Sequence, residues 1–297
     1  FPCILAISSY INQVFVVIIT TMKKEKELIH HVNYIKPHQD KELFIYEGHY
    51  NNFNFEKHVH EEYTISLIEK GAMSAYLKGF NYKLDKTSII TINPDEVHSC
   101  GVLNKDGYKH HSLYINPNML KDILKVNFNS ELLTFKDFQF FDQNIYHKLF
   151  YLMNQKNILQ NSELQWECQT IEILNNILLL NSKVQEQERL PFHAPLIKKA
   201  KEYINDNFHQ NLTLDEISQE IGISKYHFLR LFKEQTFVSP HTYLMLRKIE
   251  KAKQFLRQGI SIVDTTYLCG FNDQSHLNRR FKAITGVTPG IYKKFFN

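Results

Sequence analysis

The sequence predicts a two-domain α+β protein, in which a small antiparallel β-barrel with a helical pair precedes an all-α domain. Three observations support this prediction. Short β-rich segments occupy residues 43–115, an internal helical repeat occupies the C-terminal third, and the charge balance changes between them. Residues 193–297 carry 16 Lys and Arg against 9 Asp and Glu, whereas the preceding residues carry 19 against 22. A basic C-terminal third joined to a mildly acidic remainder indicates that only one domain meets a polyanion.

The composition is that of a globular protein with two cores. The chain has 297 residues, of which 43% are hydrophobic and 13% aromatic, and this excludes a disordered tail. Cys3, Cys100, Cys168 and Cys269 are far apart and form no CxxC pair, so neither a disulfide framework nor a structural zinc site is supported. Reduced cysteines are the simplest account, and they predict a cytoplasmic protein.

Residues 1–21 form an apolar leader that we place upstream of the true start of the protein. The segment begins without Met, lacks the basic region and cleavage site of a signal peptide, and is interrupted by polar residues such as Ser8 and Asn12. Met22 then opens the stretch MKKEKELI, which is typical of a bacterial start. A membrane anchor formed by the same apolar residues is the alternative.

The first domain, residues 22–181, begins with short strands. Turn residues at Gly71, 79–81 and 93–95 separate the runs LFIYEG, YTISLIEKG, MSAYLKG, YKLD, TSIITI and HHSLYI. Turns about 8–12 residues apart are typical of a small antiparallel barrel or sandwich.

From Asn116 to Asn181 the pattern becomes helical. Periodic apolar residues occupy 119–124, 145–159 and 164–180, and Asn161 with Ser162, a candidate N-cap, separates the last two segments. Two apolar helices joined by a short turn form an antiparallel pair. The pattern leaves open whether the pair is a dimerisation surface or covers one mouth of the barrel.

A polar linker, residues 182–194, follows the first domain. It lacks periodicity, contains Pro191 and is followed by Pro195. The charge balance changes at the same place, so we place the second domain at residues 195–297.

The second domain contains an internal repeat. Residues 213–237 and 261–285 align, with Thr213 matching Ser261 and Gly222 matching Gly270. Each copy begins with a helix cap and a short helix, turns at the glycine, where a residue without a Cβ atom meets no clash, and enters a second helix. This order of elements is typical of a helix-turn-helix unit.

The second helix of each copy has an apolar and a polar face. Ser224 caps the first of these helices, and Asp273 or Asn272 caps the second. The apolar faces hold Phe228, Leu231 and Phe232, then Leu277, Phe281 and Ile284. The opposite faces hold the predicted DNA-binding residues Lys225, Tyr226, Leu229, Arg230, Lys233, Gln274, Ser275, Asn278, Arg279 and Lys282.

Side-chain chemistry suggests individual roles on DNA. Arg230 and Arg279 have the guanidinium fork that pairs with guanine O6 and N7. Asn278 or Gln274 suits adenine, and Leu229 suits a thymine methyl group. The remaining cations are better placed to contact phosphates, which position the domain without reading sequence, and these are Lys225, Lys233 and Lys282.

A longer helix joins the two copies. Ser239 is its predicted N-cap, Pro240 suits its first turn, and Gly259 suits the position just beyond its end. Its periodic apolar residues are Leu244, Leu246, Ile249, Ala252, Phe255 and Leu256. About 18 helical residues span roughly 27 Å. Such a rod suits two recognition helices about one DNA turn, roughly 34 Å, apart on one face of the duplex.

The second domain closely resembles the DNA-binding domain of the AraC/XylS family of bacterial transcription factors. The segments LDEISQEIGISKYHFLRLFK, LRKIEKAKQFL and GFNDQSHLNRRFKAITGVTPGIYKK carry the resemblance. It implies two helix-turn-helix units bound in adjacent major grooves of double-stranded DNA, with RNA polymerase as a partner. Two features depart from the family: Phe237 stands where Gly is usual, and residues 265–267 stand where small apolar residues are usual.

The first domain resembles the sensor domain of the same family more loosely, through HVHEEYTISLIEKG and YINPNML. The resemblance implies a homodimer and a small-molecule effector inside the barrel. Side-chain alternation along the strands selects the residues that line such a cavity, and the predicted effector-binding residues are His58, His60, Thr64, His98 and His110.

Three of these histidines resemble the metal ligands of the cupin barrel. His58 and His60 form the histidine pair of its first motif, and His98 matches the histidine of its second. Metal-binding cupins add a glutamate four or five residues after the pair, where this chain has Thr64 or Ile65. The ligand set is incomplete, so we assign no metal or cofactor, although three histidines alone can still hold an ion.

The predicted function is a cytoplasmic, sequence-specific transcription regulator, dimeric, an activator and not an enzyme. A small molecule in the barrel changes how the two DNA-binding domains are presented. One alternative is a metal-dependent cupin enzyme, such as a dioxygenase or isomerase, with a DNA-binding appendage. Another is a membrane-tethered regulator that uses residues 1–21.

Overall fold

The computed structural model describes residues 3–11, 14–22, 30–37, 43–121, 133–154, 163–184 and 194–297. Within these residues the first domain contains the strands β1 (Cys3–Ile11), β2 (Val14–Met22), β3 (His30–Lys36), β4 (Leu43–Tyr50), β5 (Tyr63–Leu77), β6 (Phe80–Asp85), β7 (Ile89–Ile92), β8 (His98–Val102), β9 (Tyr108–Ile115), β10 (Leu133–Phe135), β11 (Gln139–Phe140) and β12 (Ser182–Val184). Its helices are α1 (Gln143–Met153) and α2 (Glu163–Asn181).

The strands form an antiparallel, barrel-like sheet around the long strand β5. The strand order is β1-β2-β3-β4-β9-β5-β7-β11, and β6 and β8 pair with the second half of β5. One strand therefore belongs to both walls of the domain, and the side chains on the inner faces of the two walls point toward a common interior. The predicted two-domain α+β architecture is confirmed.

The sequence pattern predicted a turn at Gly71, but no strand ends there. β5 runs through it, with a register irregularity between Ile68 and Lys70. Gly71 has a φ of +76°, and a Cβ atom there would lie 2.1 Å from the carbonyl oxygen of Gly107. The glycine thus bends a continuous strand where another backbone approaches closely, because only a residue without a side chain fits there.

The predicted apolar leader lies largely in strands β1 and β2. β2 pairs with β1 on one side and with β3 on the other, and so extends the sheet of the first domain. In the parts of the chain that the structure describes, no helix has both the length and the apolar composition needed to cross a membrane.

The helical pair packs on the outer face of the sheet. Ile145, Leu149, Trp166 and Leu174 are buried in a core cluster with residues of strands β3, β4, β5 and β9. The indole nitrogen of Trp166 donates to the carbonyl oxygen of Leu152 at 3.2 Å and links the two helices. The pair therefore packs on the sheet, and whether it also serves as a dimerisation surface stays a prediction.

Helical structure is less continuous between residues 116 and 181 than the sequence predicted. Residues 117–121 are helical, but the short strands β10 and β11 precede α1. α1 begins at Gln143 because Asp142 caps it, accepting from the amide of Ile145 at 2.8 Å, and it ends at Met153 rather than at residue 159. Residue 124 and the turn at Asn161–Ser162 lie outside the described residues.

The second domain is all-α. Its helices are α3 (Ala194–Asp206), α4 (Leu214–Ile221), α5 (Lys225–Thr236), α6 (Pro240–Arg257), α7 (Ile262–Leu268), α8 (Gln274–Thr285) and α9 (Pro289–Phe296). Helices α4–α5 and α7–α8 are the two predicted helix-turn-helix units, and α6 is the predicted bridge. Two helices were not predicted from the sequence pattern. They are α3, whose first residue is the last of the predicted linker, and α9. Strand β12 takes residues 182–184 of that linker, and 185–193 lie outside the described residues.

Local signals set the boundaries of these helices. Thr213 and Glu216 form the predicted capping box of α4, and Ser239 caps α6 with Pro240 in its first turn. Phe237, which stands where the family usually has Gly, ends α5 with a φ of +60°. This left-handed conformation is the one that glycine adopts readily, which accounts for the family's preference.

The inner face of the barrel and the second domain share one hydrophobic cluster. Buried residues such as Tyr46 and Ile90 from the strands belong to the same cluster as Ile249 of α6, Ile284 of α8 and Tyr292 of α9. The two domains are therefore packed against each other through apolar surface.

Candidate functional site

Helices α5 and α8 have the cap and core residues that the sequence predicted. Ser224 accepts from the amide of His227 at 3.3 Å, and Asp273 accepts from the amide of His276 at 2.7 Å, so Asp273 rather than Asn272 is the second cap. The predicted apolar faces are buried, and they comprise Phe228, Leu231, Phe232, Leu277, Phe281 and Ile284. Each helix is therefore anchored along one side, and its other side faces away from that core.

The turn before α8 requires a glycine. Gly270 has a φ of +65°, and a Cβ atom there would lie 1.9 Å from the carbonyl oxygen of His209. Only a residue without a Cβ atom fits there, because the backbone of the α3–α4 connection approaches Gly270 this closely. The equivalent Gly222, between α4 and α5, has a φ of +76° and open space around it.

The polar face of α8 is turned toward solvent. Gln274, Ser275, Arg279 and Lys282 are exposed, and Asn278 is half-buried. Among the described residues, Arg279 and Lys282 form no ion pair. Amide, hydroxyl and guanidinium groups therefore lie along one side of a rigid helix and are free to contact a partner.

The polar face of α5 is more varied. Arg230 and Lys233 are exposed, whereas Lys225 is half-buried and pairs with Asp215 at 3.2 Å. Leu229 is half-buried and lines a groove with Leu214 and other apolar residues of α4 and α6. The side chain of Tyr226 lies outside the described part of the structure.

Behind these helices, the barrel encloses a cavity. The empty space between its walls is about 840 Å³, including the part open to solvent. All five residues predicted to bind an effector line it: His58, His60, Thr64, His98 and His110. Rings of Tyr34, Phe44, Tyr46, Tyr114 and Phe138 supply much of the remaining wall.

The cavity histidines are neutral near pH 7. Burial, together with the neighbouring His98, lowers the pKa of His58 and His60 well below the usual value. Burial also lowers the pKa of His98 to about 4 and that of His110 to about 3. Among the described residues, His110 Nδ1 and the hydroxyl of Thr64 are buried without a hydrogen-bond partner, so both are available to a ligand.

The second domain forms one wall of this cavity. Five of the lining residues belong to helices α6, α8 and α9, and they are Glu250, Lys253, Ile284, Thr285 and Tyr292. Ile284 and Thr285 are the last two residues of α8. The cavity therefore reaches the C-terminal end of α8.

Ion pairs hold α6 against the barrel. Arg257 Nη2 lies 2.7 Å from Glu62 Oε1, and Arg247 Nη1 lies 2.7 Å from Asp95 Oδ1. Burial alone would raise the pKa of the Glu62 carboxyl, but the charges of Arg257 and Lys253 outweigh it and lower that pKa. Glu62 therefore stays ionised at neutral pH because the second domain supplies its counter-charges.

Two further contacts reach the recognition helices. Arg280 of α8, to which the sequence gave no role, lies 2.9 Å from Glu56 through Nη1 and Oε2. Lys57 donates to the carbonyl oxygen of Phe237, at the end of α5, at 3.1 Å. Both recognition helices are thus tied to the same loop that carries His58.

Aromatic contacts complete the interface. The ring of Tyr34 lies 4.9 Å from that of Phe295, and the ring of Phe44 lies 5.7 Å from that of Phe296. The guanidinium of Arg257 stands 4.8 Å from the centre of the Phe296 ring. The described interface therefore combines buried charge pairs with aromatic packing.

Sequence reasoning missed the contribution of the second domain to the cavity. Arg247, Glu250, Gln254 and Arg257 follow each other at helical spacing on α6, which is a polar stripe beside the apolar one. In isolation such a stripe indicates a solvated face. Its charge pairs with the barrel become visible only when both domains are in place.

The buried His110 should make stability depend on pH. Its pKa in the folded protein is about 3, below the ordinary 6.5, so the unfolded chain binds a proton that the folded chain excludes. Stability should therefore fall as pH drops below 6.5, by about 2 kcal/mol between pH 7.5 and 5 from this residue. Urea unfolding of the wild type and of His110→Gln at both pH values measures this difference.

The pH dependence should be smaller in His110→Gln, because glutamine does not titrate. His241→Gln, which removes an exposed histidine, is the matched control and should keep the wild-type dependence. An identical pH dependence in all three proteins would contradict this, because it would mean that His110 has the same pKa in the folded and the unfolded chain.

Two known domain families match the chain. Residues 41–157 match the AraC-like ligand binding domain, and residues 217–294 match a helix-turn-helix domain. The first match covers most of the strands that line the cavity, though not β3 with Tyr34, and the second covers both recognition helices.

Individual proteins extend these matches. The HTH-type transcriptional regulator YbfI of Bacillus subtilis (strain 168) is 27% identical over 248 residues, which cover 82% of this chain and 88% of the relative. The transposon Tn10 TetD protein of Escherichia coli is 35% identical over 121 residues, which cover 40% of this chain and 83% of the relative. The crystal structure of ToxT from Vibrio cholerae with an unsaturated fatty acid bound has a TM-score of 0.56 at 16% identity, covering 86% of this chain and 96% of that one. This last similarity shows a shared two-domain fold.

Proposed function

The chain belongs to the AraC family of transcription regulators, and from this premise we propose that it is a cytoplasmic activator that reads DNA through both recognition helices. The observation that carries the proposal is the cavity wall shared by the two domains. It includes Ile284 and Thr285, at the end of the second recognition helix. Ligand binding and DNA binding then involve the same helix, and no enzymatic reaction is required of the barrel.

We assign the DNA contacts by exposure and side-chain chemistry. On α8, the exposed Gln274, Ser275 and Arg279, with Asn278, face the base edges, and Lys282 faces a phosphate. On α5, Arg230 and Leu229 face bases, Lys225 and Lys233 face phosphates, and Tyr226 belongs to the same surface. The two helices enter adjacent major grooves.

The effector is a small molecule bound among His58, His60, Thr64, His98 and His110. The aromatic wall suits an apolar body, and the unpartnered groups of Thr64 and His110 suit one or two polar atoms. ToxT, which shares the fold, has been crystallised with an unsaturated fatty acid, so a two-domain protein of this shape accommodates an organic ligand.

Regulation requires the effector to bind two arrangements of the domains with different affinity. In the arrangement described, Lys253 and Tyr292 of the second domain line the cavity, so a ligand contacts both domains. An arrangement in which α6 leaves the barrel lacks those contacts. Because the contacts differ, the ligand binds the two arrangements with different free energies. That difference in binding free energy shifts the equilibrium toward one arrangement.

We assign a homodimer to the helical pair of the first domain. Ile171, Leu179 and Leu180 of α2 are exposed, the last two by 68% and 61%, although the opposite side of the helix is buried against the sheet. Neighbouring apolar side chains on a helix exterior favour a second copy as partner. RNA polymerase is the partner that activation requires.

The proposal is tested by selecting bound fragments from random DNA with the full chain, with and without candidate metabolites. We expect enrichment of a defined sequence with two short conserved segments, and a change in affinity when the effector is present. Recovery of unselected DNA in every condition would contradict sequence-specific reading.

A further inference from the structure

A basic cleft lies where the first domain meets the first recognition helix. Residues of both domains line it, and they are Lys57, Tyr76, Lys233, Phe237, Val238, Ser239 and Thr242. The first two belong to the first domain, and the others run from the last turn of α5 to the first turn of α6. The empty space between the walls is about 670 Å³, including the part open to solvent. This cleft shares no lining residue with the cavity inside the barrel.

Two contacts hold Lys57 in the cleft. Its ammonium nitrogen donates to the carbonyl oxygen of Phe237 at 3.1 Å and stands 4.2 Å from the centre of the Tyr76 ring. The β5–β6 turn lies at the same corner, since a Cβ atom on Gly79 would lie 3.7 Å from the ring of Phe237. An ammonium group has three N–H donors, so the bond to Phe237 leaves donors for a further acceptor.

Two positive charges line the cleft without a negative partner. Among the described residues, neither Lys57 nor Lys233 forms an ion pair, and no Asp or Glu lines the cleft. Like charges at one site repel each other unless an anion compensates them. The hydroxyl groups of Ser239 and Thr242, whose oxygens are 2.9 Å apart, line the same cleft. Ammonium and hydroxyl groups together suit an anion with several acceptor oxygens, such as a phosphate.

The cleft continues the surface that we assign to DNA. Lys233 and Arg230 are exposed on the polar face of α5, one helical turn apart. Phosphates border the major groove, so cations beside a recognition helix are placed to meet the DNA backbone. The contact with Phe237 brings Lys57 of the first domain to the end of that helix.

We propose that Lys57 and Lys233 bind a phosphate group of the DNA backbone between them, so that the first domain contributes directly to DNA affinity. The inference rests on the proposed function, because it adds a contact to the DNA surface of α5. Such a contact strengthens binding without reading sequence. It also depends on the arrangement of the domains, since Lys57 is beside Lys233 only while the barrel lies against the end of α5.

The test is the affinity of the full chain for its selected DNA site and for random DNA at several salt concentrations. Lys57→Met should weaken binding to all sequences alike and reduce the slope of log affinity against log salt by about one unit, because one phosphate contact is lost. Lys57→Arg keeps the charge and should keep the wild-type slope. Selection of the same DNA sequence by each variant shows that it is folded.

The matched control is Lys70→Met, which removes an exposed lysine six residues before Tyr76 on β5 and should keep the wild-type slope. An unchanged slope in Lys57→Met would overturn the proposal. An equal loss of affinity at every salt concentration would do the same, because Lys57 would then only join the domains through Phe237. Equal slopes in Lys57→Met and Lys70→Met, both below that of the wild type, would show an effect of net charge alone and would also contradict the proposal.

Inorganic phosphate separates a DNA phosphate from a free anion as the ligand of the cleft. Urea unfolding of the wild type and of Lys57→Met is measured with and without phosphate at equal ionic strength, and we expect the same response from both. Stabilisation of the wild type alone would assign the cleft to a free anion and overturn the proposal. Selection of a DNA sequence by the wild type tests the proposed function separately, so the two failures are distinguishable.

Discussion

Replacing Arg257 with Met is expected to lower the free energy of unfolding by about 3–5 kcal/mol, the usual cost of breaking a buried ion pair from one side. The carboxylate of Glu62 is 7% exposed, and Arg257 Nη2 is its partner at 2.7 Å. Without Arg257, the cation that remains beside this carboxylate is Lys253, with Nζ at 4.0 Å. Methionine retains the aliphatic packing against Phe296, so the measurement reports the loss of the charge and of its hydrogen bonds, including the one to the Tyr292 hydroxyl, rather than a cavity.

Urea unfolding of three further variants makes this result specific. Glu62→Gln in the Arg257→Met background should recover most of the loss, because no charge is then left buried without a partner. Lys198→Met breaks an exposed pair with Glu202, in which the two side chains are 78% and 60% exposed, and should cost no more than about 0.5 kcal/mol. If Arg257→Met costs as little as Lys198→Met, or if Glu62→Gln gives no recovery, α6 is not held to the barrel by this pair.

Replacing Arg279 with Ala is expected to cost about 1–3 kcal/mol of binding free energy at the selected DNA site, and to relax the base preference at one position. Arg279 is exposed on α8, and its guanidinium group has the geometry to pair with two acceptors of guanine. Affinity for the selected site and for random DNA, measured at several salt concentrations, separates base reading from phosphate contact.

Lys282→Ala is the matched control for this measurement, since Lys282 is an exposed cation one helical turn along the same helix. It should weaken binding to all sequences alike and reduce the slope of log affinity against log salt by about one unit. If Arg279→Ala behaves in the same way, then Arg279 contacts only phosphate, and the assignment of base reading on α8 is wrong.

The helices of the second domain could be predicted because their signals are local. Thr213, Ser224, Ser239 and Ser261 each cap a helix by accepting from the amide three residues further on. Such contacts involve neighbours in sequence and need no knowledge of the rest of the chain. The same reasoning gave the apolar faces of α5 and α8, because helical periodicity records which side is buried.

The first domain was harder to predict where one strand serves two sheets. Glycine is typical of turns, yet β5 continues through Gly71. The reason is that β5 pairs with strands from both walls of the domain. Strand β12 pairs with β10 across about 50 residues of intervening chain. Such pairings depend on tertiary placement, to which a local pattern is insensitive.

The candidate site was predicted only in part for the same reason. Strand alternation and motif spacing selected His58, His60 and His98, and the structure brings their nitrogens together. The wall formed by α6 and the end of α8 was missed, because Lys253 and Thr285 read as ordinary helix-surface residues until the barrel is placed against them. A contact between two domains depends on the surfaces of both. The sequence pattern of one domain therefore does not show which of its surface residues the other domain covers.

Hydroxyl-radical footprinting of the full chain on its selected DNA site tests the central claim most directly. The account predicts that each protein chain protects two short patches on one face of the duplex, about one helical turn or roughly 34 Å apart, and that Arg279→Ala weakens only the patch under α8. A single protected patch per chain, or protection that is the same on any DNA sequence, would contradict the claim that two recognition helices read successive major grooves.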